Sequence, residues 1–115
     1  MKCGPNMAFR VSLTAPAEID AYAAFERIRE ASPMHAEPWL TRLFDAVFSL
    51  AESPNRCPLI PEAEELGYPA RHLLFGKGNG VYRIIFHIRD DERHVRVLRI
   101  WHASRDRITP SDTQE

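Results

Sequence analysis

The spacing of apolar residues along this chain changes from period two to helical period and back, and that change predicts its elements. Phe9, Val11 and Leu13 alternate with polar or small residues, as in a half-buried strand. Thr14 is a suitable N-cap, Pro16 supports a helix start, and Glu18 and Asp20 place negative charge in the first turn. Ile19, Tyr22, Phe25 and Ile28 recur every three residues and are expected to form one stripe, up to Ser32-Pro33. A second helix is expected over roughly Ala36 to Ala51, where Trp39, Leu40, Leu43, Phe44, Val47 and Phe48 make a wide apolar face. The pair reads as a helical hairpin covering a sheet.

Ser53 to Pro69 holds four prolines and the acids Glu62, Glu64 and Glu65, and reads as a loop. Strand signals then return. Arg71 to Phe75 is a strand, Gly76 to Gly80 a turn, Val81 to Ile88 the strongest strand, Asp90 to Arg93 a turn, and His94 to His102 the last strand. The order β-α-α-β-β-β predicts an α+β domain, an antiparallel sheet with helices on one face. One domain is expected over 7–107, with a disordered extension over 1–6 and a flexible tail over 108–115, frayed from Ser111.

The parity of the last hairpin carries the chemistry. A turn at Asp91 and Glu92 pairs Ile88 with Val95, Phe86 with Val97, Ile84 with Arg99 and Arg83 with Ile100. One face then holds Tyr82, Ile84, Phe86, Ile88, Val95, Val97 and Trp101, with Arg99 as its exception; snorkelling or a pair with Glu18 or Asp20 would accommodate that charge. The other face holds Val81, Arg83, Ile85, His87, Arg96, Leu98, Ile100 and His102, with His102 diagonal to Arg83 at about 7–8 Å. Guanidinium forks bind phosphate oxygens, and imidazoles move protons near neutrality. For cleavage of RNA by its own 2′-hydroxyl, Arg83 could supply charge, His102 the acid, and Glu64 or Glu65 the base.

Charge sharpens this picture. The net charge of the 115-residue chain is −1, but residues 1–65 carry −4, 66–107 carry +5 and the tail −2. A basic second half suits a polyanion or an acidic partner. Cys3 and Cys57 lack metal-ligand or redox spacing and read as reduced thiols of a cytoplasmic protein, with neither metal nor cofactor expected. No apolar run reaches the length of a membrane span.

Two stretches resemble RelE/ParE toxins. One is Val81-Tyr82-Arg83-Ile84-Ile85-Phe86, an acidic turn, then Val95 to Asp106; the other is Phe9-Arg10-Val11-Ser12-Leu13-Thr14 followed by Ala17-Glu18 and Asp20. The resemblance covers about residues 7 to 107. It implies a microbial-RNase-like fold, a growth-inhibiting toxin and a cognate antitoxin in a hetero-oligomer, contacting the basic sheet face or the helical hairpin. RelE-like members cleave mRNA on the ribosome without metal. Arg83 matches their strand Arg, His102 resembles a His near the chain end, and Glu64 or Glu65 loosely matches a loop Glu. Arg71, Lys77, His87, Arg96 and Arg105 are the expected RNA- or target-binding residues. ParE-like members instead inhibit DNA gyrase without catalysis. The chain lacks the Lys-rich second strand of ribosome-dependent cleavers. Ribosome-dependent cleavage is the leading expectation, with gyrase inhibition or an inactive interaction module as alternatives.

Overall fold

A computed structural model describes residues 8–114; the extension expected over 1–6 lies outside them. The elements are β1 (Arg10–Leu13), α1 (Ala15–Ala31), α2 (Pro33–Phe48), the single-turn α3 (Ala63–Leu66), β2 (Arg71–Phe75), β3 (Tyr82–Arg89) and β4 (His94–His102). The second helix starts earlier than expected because Pro33 opens it, a position where the missing amide hydrogen costs nothing. The sheet runs in the order β1-β4-β3-β2. β1 lies parallel to β4, with Val11 beside Val95, so the sheet is mixed rather than wholly antiparallel.

The helical hairpin covers one face, but α1 does not use the expected stripe. Ala17, Ala21 and Ala24 are buried, whereas Ile19 and Tyr22 are 68% and 50% exposed. Residues at strict three-residue spacing fall about 60° behind at each step of a 3.6-residue helix, so four of them cannot share a face. The small alanines let α1 lie close over Val95, Val97, Ile84 and Phe86. Thr14 ties this helix to the sheet. Its hydroxyl accepts from the Ala17 amide at 3.1 Å and donates to the Leu98 carbonyl at 2.9 Å. Thr14→Ala removes both bonds at a buried site, and is expected to cost about 1–2 kcal/mol in a urea unfolding titration.

The hairpin register departs from regular pairing at one point. Ile88 faces Val95 and Phe86 faces Val97 as expected, but Ile85 faces Arg99 and Ile84 faces Ile100. Leu98 is the extra residue of a β-bulge. Every side chain beyond it changes face relative to the regular reading. Ile100 joins the helix-side core, and Leu98 and Trp101 join a second core with Ile60, Ala70, Ile85 and Ile108 on the opposite face. That opposite face is therefore not an open row of Arg and His. The segment 58–70 and the chain after β4 lie across it. The tail expected to be flexible is docked: Ile108 is buried, and Thr109 and Asp112 cap a final turn over Pro110–Thr113. No helix among the described residues is long and apolar enough to cross a membrane.

Candidate functional site

Arg83 projects from β3 into the covered face. Its Nη1 and Nη2 donate to the two carboxylate oxygens of Glu62 at 3.0 and 2.8 Å, and its Nε donates to His72 Nδ1 at 3.1 Å. The Arg83 and Glu62 side chains are only 12% and 4% exposed. Glu62 also accepts the Ile108 amide at 3.2 Å, so one carboxylate joins strand, loop and tail. The Arg83 fork, helped by that amide, holds the Glu62 carboxyl at about 2. Burial, and then the Arg83 charge, push the His72 imidazole below its ordinary value, which keeps it the neutral acceptor that Arg83 Nε requires.

His102 lies on the other side of the sheet. The bulge turns it toward α1, where its ring meets Tyr82 edge-on at 4.9 Å. His102 Nε2 lies 2.9 Å from the Asn79 carbonyl, which only accepts, so Nε2 carries the proton. Nδ1 then accepts from the Ser104 amide at 3.1 Å and the Ser104 hydroxyl at 2.7 Å. Arg83 and His102, expected together on one exposed face, are thus separated by the sheet.

His102 instead lines a cleft of about 400 Å³ with Asp20, Arg27, Tyr82, Ser104 and Arg105. Asp20, Ala23 and Arg27 reach it from one face of α1, and Arg27 Nη2 donates to the Tyr82 hydroxyl at 3.0 Å. Arg99 forms a fork on Asp20 at 2.7 and 2.8 Å, the second carboxylate option in the sequence reading, and Asp20 also accepts the Ile100 amide at 3.0 Å. Arg99 is a structural residue here.

The remaining sequence-derived residues scatter. Glu64 is exposed on α3, and Glu65, also exposed, pairs with Arg107; neither reaches Arg83, whose carboxylate partner is Glu62. Arg71 Nη1 donates to the Cys57 carbonyl at 2.5 Å and tethers the loop. Lys77 is exposed in the β2–β3 turn. His87 packs under Tyr68 at 4.7 Å, and burial, then the Arg89 charge, push its imidazole below the ordinary value. His87 is paired across the hairpin with Arg96, whose Nη1 donates to Ser12 Oγ at 3.2 Å. Arg105 stacks over Trp101 at 3.7 Å at the cleft. Sequence reasoning missed Glu62, His72, Arg27, Tyr82 and Ser104 as site residues. Only Arg27 left a signal, lying seven residues beyond Asp20 on one helix face.

Comparison with known proteins supplies the family. A comparison with curated proteins finds no match. Among solved structures, the fold is similar to a chain of the RelBE2 toxin–antitoxin complex from Mycobacterium tuberculosis, at 23% identity and a TM-score of 0.52, covering 83% of this chain and 98% of that one. The family model for the ParE toxin of the type II toxin–antitoxin system parDE matches residues 11–107, nearly all of the strands, helices and docked loop described above. The chain belongs to the ParE toxin family, within the RelE/ParE superfamily of type II toxin–antitoxin toxins.

Proposed function

We propose that this toxin acts by binding its target rather than by cutting RNA, with DNA gyrase as that target and a cognate antitoxin as its restraint. The observation that carries this reading is the Arg83–Glu62 fork. The charge an RNA phosphate would need is already compensated by a buried carboxylate, and His102 stands beyond the sheet from it. A cleavage site needs base, charge and acid around one phosphate. Membership of the ParE family supports the gyrase target, and the exposed Ile19, Tyr22 and Phe48 on the helical hairpin support a surface for protein partners.

The test runs two assays on purified, antitoxin-free toxin. Gyrase supercoiling should fall with added toxin while ribosome-bound mRNA stays intact. Undiminished supercoiling at saturating toxin, with mRNA cut on the ribosome, would overturn the proposal. The second reading, mRNA cleavage, is favoured by one feature: His102 shares its cleft with Arg27, Tyr82 and Arg105. Cleavage abolished by His102→Ala in a folded protein would be its signature.

A further inference from the structure

We infer that the cleft between α1 and the end of β4 binds a phosphate ester, at a site separate from the Arg83 centre. Its donors arrive from three elements. Arg27 comes from α1, the Tyr82 hydroxyl from β3, and Ser104 and Arg105 from the turn after β4. Tyr82 accepts from Arg27 through its oxygen, so its own hydroxyl proton remains to be donated. Ser104 can turn its hydroxyl to a ligand while its amide keeps the bond to His102 Nδ1. Arg105 is held in place by its stack on Trp101.

Among the described residues that line the cleft, the carboxylate is that of Asp20, and it does not oppose an anion. Asp20 is compensated by the Arg99 fork and the Ile100 amide, so two guanidinium charges remain uncompensated by it. Donors converging from three elements suit the tetrahedral oxygens of phosphate better than a planar carboxylate. A free phosphate would leave most of the cleft empty. Its volume of about 400 Å³ falls within the range of small-ligand sites, and Ala23 and Ile100 offer apolar surface for the organic part of an ester. The inference holds whether the toxin binds gyrase or cuts RNA, because it concerns binding alone.

The test is an amide-resolved NMR titration of the full chain with a nucleoside 5′-monophosphate, inorganic phosphate and acetate in separate arms. The nucleotide should give saturable shifts at Tyr82, His102 and Ser104, with a dissociation constant of about 1 mM or below. Inorganic phosphate should bind the same residues more weakly, and acetate should not saturate. Arg27→Ala and Arg105→Ala should each weaken the nucleotide about tenfold or more with the fold intact by circular dichroism, and Arg56→Ala should leave it unchanged. Absence of saturable shifts, acetate binding as tightly as phosphate, shifts centred on His87 and Arg96, or unchanged binding in both cleft variants would each overturn the inference.

Discussion

Arg83→Ala is expected to lower the stability of this toxin by about 3–5 kcal/mol, because it leaves the Glu62 carboxylate buried without its counter-charge. For a domain of this size that corresponds to a melting temperature lower by more than about 10 °C. Glu62→Ala should cost as much, since it strands the guanidinium and also releases the Ile108 amide. The double variant Arg83→Met with Glu62→Leu should recover most of the loss, because burying an ion pair is itself costly. The pair also sets an acid limit. Glu62 titrates at about 2 in the fold against an ordinary value of 4.5, so its contribution is present in full above about 4.5 and lost as pH falls toward 2. Glu62→Gln should remove that part of the acid dependence. Chemical denaturation at pH 7 and pH 3 measures both effects. A cost under about 1 kcal/mol for either single variant would mean the pair is open to solvent. It follows that loss of toxicity in Arg83→Ala reports unfolding unless the folded fraction is measured beside it.

Trp101→Ala should be comparably severe, at about 3–5 kcal/mol. The indole is 3% exposed, packs in the second core with Ile85, Leu98 and Ile108, and donates from Nε1 to the Asp106 carbonyl at 2.8 Å. Arg99 and Arg105 both lie against its ring, at 5.0 and 3.7 Å. The substitution therefore removes a core side chain, the anchor of the tail and the platform that positions Arg105 at the cleft. Hydrogen exchange should show residues 105–113 losing protection before β3 and β4 do. Trp101→Phe should keep most of the packing and lose chiefly the bond to Asp106. Equal protection of the tail in wild type and Trp101→Ala would contradict this role.

Much of the architecture can be read from the residue pattern. The alternating run at Phe9–Leu13 and the apolar-rich runs at Arg71–Phe75 and Val81–Ile88 mark the strands, and the Thr14 cap marks the first helix. The site is another matter, and the reason is local. A single extra residue, Leu98, inverts the facing of everything beyond it, and within Val95-Arg96-Val97-Leu98-Arg99 the only hint of a bulge is the charge of Arg99, because the residue types otherwise suit a regular strand. In regular pairing Arg99 puts a charge on an apolar face, and the bulge relieves this by letting the guanidinium reach Asp20 around the edge of β4. The parallel placement of β1 depends on a neighbour some eighty residues away, which local patterning does not encode. The covering of the second face depends likewise on which loop acid meets Arg83. Glu62, Glu64 and Glu65 look alike in the chain, and only the turn begun by Pro61 aims Glu62 inward.

Target binding without RNA cleavage requires the Arg83 guanidinium to be sealed against Glu62. Side-chain NMR of the arginine guanidinium groups tests this directly. Arg83 should show separate, exchange-protected Nη resonances that do not move when RNA is added and that average together in Glu62→Gln. Resonances averaged like those of an exposed arginine, shifting as RNA is titrated, would place Arg83 in an open nucleic-acid site and contradict the account.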